Sequence, residues 1–135
     1  MADLLPPPPA LVARIEKEVA FENRLVGGSL HLRAGVRVVS LYRLEEVFML
    51  LAKPHPQIDL GKLQAWISRV IRDEELARAI GQIRAGAGSR LHTIMAVRDV
   101  IGMRLIQCRQ SVRGPGKSAA YHFPLSAAKA FDWRG

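Results

Sequence analysis

From Ala10 the apolar residues recur with helical spacing, Leu11, Ile15 and Val19 on one side with Leu25 continuing the line, while Arg14, Glu16, Lys17 and Glu18 take the other sides. Gly27 and Gly28 are expected to stop that helix. Beyond them the period changes to two: Leu30 and Leu32 alternate with His31 and Arg33, and Val36 and Val38 alternate with Arg37. Ser29 to Val39 therefore reads as a hairpin turning at Ala34 and Gly35, with one apolar face. The helical period then returns through Leu41, Leu44, Val47, Phe48 and Leu51, with Ser40 as the expected cap and Pro54 as the stop.

Pro54, His55 and Pro56 form a rigid connector, and Asp59 is placed to cap a helix carrying Leu60, Leu63, Trp66, Ile67 and Val70. Trp66 is a core residue on this reading. Asp73, Glu74 and Glu75 put three acids at the start of a further helix, Glu74 to Ile83, where exposed N–H groups and the positive dipole end favour them. Gly86 and Gly88 break that helix, and Ser89 caps a longer stripe of Leu91, Ile94, Val97, Ile101, Leu105 and Cys108. Gly102 lies inside the stripe and marks a kink, a close helix contact or the helix end. If the helix stopped there, Met103 to Val112 would be a strand, Arg113 to Lys117 its turn and Ala119 to Leu125 the return strand, resembling the wing of a winged-helix DNA reader. The 3.6-residue period of Met103 to Gln110 favours the helix.

These elements predict an α+β, mostly helical fold: a short N-terminal β-hairpin packed with four or five helices, followed by a basic C-terminal extension. Residues 1–10 form a proline-rich leader, 11–110 a single compact domain and 111–135 the extension. The pieces Leu32-Arg33-Ala34-Gly35-Val36-Arg37, Leu41 to Leu51, Asp59 to Trp66, and Asp73-Glu74-Glu75-Leu76-Ala77 follow one another in a recognisable order. With them Leu30 to Ile83 resembles a small uncharacterised prokaryotic domain family. The resemblance implies a mixed α+β, mostly helical fold with little or no metal or nucleophile chemistry, and it assigns no site residue.

Composition adds a size and a charge. The chain has 135 residues, 49% of them hydrophobic, which suits one domain with a real core. No apolar run approaches the roughly 18 to 20 residues of a membrane span, so no membrane partner is expected. The first nine residues lack a basic region followed by an apolar one, so no secretory signal is expected and a cytoplasmic location is the default. Of the net charge of +8, the segment from Arg84 to Gly135 carries +7, with nine Lys/Arg against Asp99 and Asp132. The first 83 residues hold eleven basic against ten acidic residues. Such clustering directs one end of a molecule toward an anionic partner.

Catalytic chemistry finds little footing. Gly114 to Ser118 ends like a phosphate-binding loop, but Ser111 stands where the first Gly of that motif belongs. His31, His55, His92 and His122 never fall at i, i+3 or i, i+4 spacing, and Cys108 is the one cysteine, so neither a metal site nor a cofactor is expected. On an apolar stripe Cys108 reads as a small buried residue. The acids of Glu45, Glu46 and the 73–75 cluster are explained by helix starts and solvated faces, so no enzyme is expected.

What remains is binding. Arg90, Arg98, Arg104, Arg109, Arg113 and Lys117 are the candidate contacts to DNA or RNA, and Tyr121, Phe131 and Trp133 the aromatic anchors among the late basic residues. The alternative is an adaptor or assembly subunit of a larger complex, whose C-terminal tail docks an acidic protein surface.

Overall fold

The computed structural model describes residues 4–113 except 32, 34 and 87, and for 31, 112 and 113 the backbone alone. Leu4 to Pro8 have no regular structure, Pro8 itself being extended, and Pro9 opens helix α1 (Pro9–Glu16) at the first helical position, where a missing N–H costs nothing. Leu11, Val12 and Ile15 are its buried face. The helix is shorter than its periodicity suggests. After Lys17 the chain is extended, makes a 3₁₀ turn at Phe21–Asn23 and enters strand β1 (Leu25–His31). Leu25 therefore begins a strand instead of ending a helix, and Gly27 and Gly28 lie within that strand.

The close approach of other elements explains Gly27. A Cβ there would stand 2.8 Å from Leu50 Cδ2 and 3.3 Å from the Gln57 carbonyl oxygen. β1 pairs antiparallel with β2 (Gly35–Leu41) along its whole length, and with the two-residue β3 (Pro56–Gln57) on its other side, in the order β2-β1-β3. The hairpin is longer than the Ser29 to Val39 expected, and its apolar alternation faces outward. Leu25 and Leu41 enter the core, whereas Val26, Leu30, Val36 and Val38 stay exposed.

Helix α2 (Leu44–Leu51) begins three residues later than its apolar period suggests, because Ser40 and Leu41 belong to β2. Ser40 is not its cap: the Ser40 hydroxyl accepts from Arg24 Nε at 3.2 Å, and Glu46 instead reaches back to the Tyr42 N–H. The next two caps are those read from the sequence. Asp59 accepts from the Lys62 N–H at 3.0 Å at the start of α3 (Leu60–Trp66), and Asp73 from the Leu76 N–H at 3.1 Å at the start of α4 (Glu74–Ala85). Between them α3 widens into a π-turn, Ile67–Ile71, which ends on Arg72 in a left-handed conformation. Arg14 closes that end by donating from Nε to the Ile71 carbonyl.

The long helix α5 (Arg90–Arg113) starts at Ser89, whose hydroxyl accepts from the His92 N–H. It runs unbroken through Gly102, so Met103 to Val112 is helix and not the first strand of a wing. Gly102 marks a close helix contact, since a Cβ there would lie 2.8 Å from Phe48 Cε1 on α2. One core joins all these parts, with Leu44, Val47, Leu63, Ile67, Leu76, Ile80, Val97 and Ile101 fully buried at its centre. Trp66 belongs to it and donates from Nε1 to the Asn23 carbonyl at 2.7 Å. Among the described residues the architecture is a three-stranded antiparallel sheet with five α-helices, mostly helical α+β.

Candidate anion-binding cleft

Where the 52–57 connector passes the first turns of α5, the two enclose a cleft of about 510 Å³. Its floor and walls are apolar, from Leu51, Pro54, Pro56, Leu91, Ile94 and Met95, and its basic side chains are Lys53, His55, Arg90 and Arg98. Among the twelve described residues that line it there is no carboxylate. Leu91, the one member of the α5 stripe left out of the core, is exposed here at 65%.

Backbone geometry fixes the connector side of the cleft. His55 precedes a proline, a position that sterics push toward extended conformations, yet its φ is +54°. That left-handed state costs about 1–2 kcal/mol for a non-glycine residue. The His55 carbonyl is held in place by accepting from the Leu30 N–H and from Gln57 Nε2, both at 3.3 Å, which ties the connector to the sheet. On the helix side Arg90 is anchored by donating from Nη2 to the Ile58 carbonyl at 2.9 Å. Arg98 lies against Asp99, with Nη2 3.1 Å from Oδ1.

Arg90 also borders a second cleft, of about 400 Å³, with Arg84 and the start of α3. Its carboxylate, Asp59, is engaged by the helix start, and its pKa is lowered chiefly by the hydrogen bond from the Lys62 N–H. The basic strip therefore runs from Lys53 across Arg90 to Arg84.

The remaining candidate residues are placed differently. Arg104, expected among the phosphate contacts, is turned into the protein and is 1% exposed. Its Nε and Nη2 hold Asp73 at 2.9 and 3.2 Å, Nη2 also reaches Glu75 at 2.7 Å, and Nη1 donates to the Leu5 carbonyl and to Gln107 Oε1. All five guanidinium N–H groups serve the fold, so none is left for an external phosphate. Arg109 sits toward the other end of α5, 3.6 Å from Glu45 of α2. The Arg113 side chain, Lys117, Tyr121, Phe131, Trp133 and the Gly114 to Ser118 loop lie outside the described residues.

Cys108 is buried, and burial, the largest influence on it, pushes its thiol up to about 12, so no thiolate forms at neutral pH. Among the described residues no group of three or more His, Cys, Asp or Glu side chains is arranged to hold a metal ion. No helix among them is long and apolar enough to cross a membrane. Comparison of the chain with protein-family models, with curated proteins and with solved structures finds no match.

Sequence reasoning missed Lys53, His55 and Arg84. The signal available was the Lys-Pro-His-Pro run: a rigid segment carrying two basic side chains is costly to place anywhere but at a fixed surface.

Proposed function

We propose that this protein is a non-catalytic binding module that docks an anionic partner, nucleic acid first, through its basic cleft. The observation that carries the reading is the convergence of Lys53 and His55 from the connector with Arg90 and Arg98 from α5, around a cleft with no carboxylate among its described lining residues. Backbone phosphates would take the Lys and Arg heads, and a splayed nucleotide would lie on Pro54, Pro56, Leu91 and Met95. Lys117 and the aromatic residues of the 114–135 segment would add further contacts to the partner. Partner, process and location in the cell are parts of this proposal, with a cytoplasmic setting assumed.

The test is fluorescence anisotropy with labelled single-stranded DNA and RNA at low salt, on the full chain and on the Lys53→Gln/Arg90→Gln/Arg98→Gln variant. Loss of three phosphate contacts should weaken binding about a hundredfold or more at about 0.1 M salt. Equal binding by the two proteins, or none by either, would sink the proposal. Retained binding after deletion of Ser126 to Gly135 is the expected result for the cleft. Loss of a co-purifying protein partner on that deletion would favour the adaptor alternative instead.

A further inference from the structure

The β-hairpin carries a second surface, separate from the cleft. Between Arg24 and Leu44 the chain has four arginines, Arg24, Arg33, Arg37 and Arg43, and no carboxylate. This local imbalance is hidden by the near-neutral total of the first 83 residues. Pairing of Leu30 with Val36, Gly28 with Val38 and Val26 with Ser40 puts four exposed apolar side chains on the sheet face that no described helix covers. Val38 is the most open of them, at 69% exposure. Phe21, also exposed, adjoins the sheet through Arg24, whose guanidinium lies 3.9 Å over the Phe21 ring and donates to Ser40. One cation is thus already fixed on the open face.

The edge is open as well as the face. In the order β2-β1-β3, β2 is the outer strand and has no neighbour on its far side among the described residues. Alternate peptide groups along its seven residues therefore point away from β1 without a strand partner. Just beyond β2, Arg43 holds a buried Nε that no acceptor among the described residues reaches, and its Nη2 stands 3.8 Å from Glu46, a long ion pair.

We infer that β2 receives an extended acidic segment of a partner protein as a fourth strand. Such a strand would hydrogen-bond to the free edge and alternate in side-chain character: apolar residues beside Val36 and Val38 on the open face, carboxylates beside Arg37 on the other. Arg33 and Arg43 would receive further acids at the two ends of β2. Charge complementarity selects this occupant, since a neutral apolar strand would bring no carboxylate to Arg33 and Arg37 and a second copy would bring arginine against an equally basic edge. Nucleic acid would meet the charges but leave the peptide edge and the valines uncovered.

The probe is a seven-residue peptide alternating glutamate and valine, matched to the length of β2, titrated into the ¹⁵N-labelled full chain. Amide shifts should concentrate between Val36 and Ser40. Arg37→Glu, at an exposed position that leaves the fold intact by circular dichroism, should weaken binding about tenfold or more. The same peptide with N-methyl groups along one edge should not bind. No shift in β2, equal binding by the N-methylated peptide, or β2 shifts with an oligonucleotide or anionic lipid vesicles but not with the peptide would each overturn the inference.

Discussion

Arg104 does two tasks at once: it neutralises Asp73 and Glu75 at the start of α4, and it fastens the leader by accepting none and donating to the Leu5 carbonyl. Gln107 and Glu75 complete the fastening, through the Leu4 carbonyl and the Leu5 N–H respectively. Removing the arginine would strand a buried carboxylate at Asp73, so Arg104→Ala is expected to lower stability by about 3–5 kcal/mol in urea unfolding. A loss under 1 kcal/mol would contradict this placement. Glu75 gives the cluster a pH signature. Burial, the largest single influence, would raise its pKa, but the Leu5 N–H and the Arg104 hydrogen bond and charge together outweigh it and hold the carboxyl below its usual 4.5. A depressed carboxylate pKa in the folded state stabilises above the unfolded value and is lost as pH falls through the folded one. Thermal stability should therefore fall below pH 4.5 more steeply in the natural protein than in Glu75→Gln, and parallel acid limbs would remove Glu75 from the account.

At the scale of elements, α2 and α5 meet where Gly102 lets the helix lie directly on the Phe48 ring. Alanine is the better helix former by about 1 kcal/mol, but its methyl group would overlap a buried ring, and overpacking of this kind costs about 1–3 kcal/mol. Gly102→Ala should thus destabilise by about 1 kcal/mol net, read as a lower urea midpoint, and a stabilised variant would show that the ring gives way. Much of this level was legible in the sequence. Asp59, Asp73 and Ser89 announced three helix starts because a short polar side chain before an apolar period has one good use. The errors lie at Leu25, Ser40 and Leu41, where strand pairing with a distant segment overrode a local helical pattern. The alternation of Leu30, Val36 and Val38 does not report which hairpin face is buried, and the helices cover the other one, which holds Leu25 and Leu41.

Across the whole molecule, the charge tally along the chain was a coarse guide to where charge is usable. Of the α5 arginines, Arg104 is consumed by the core and Arg109 faces Glu45, while Arg90 and Arg98, the latter beside Asp99, line one cleft with Lys53 and His55 from a segment some 35 to 45 residues earlier in the chain. No local pattern reports that meeting, which depends on how the connector is pinned to β1. The most direct measurement of the cleft as an anion site is the salt dependence of oligonucleotide binding by the full chain and by the Lys53→Gln/Arg90→Gln/Arg98→Gln variant. Plotted as log affinity against log salt between about 50 and 200 mM, the variant's slope should be shallower by about 2 to 3. Equal slopes for the two proteins would contradict the cleft as the site.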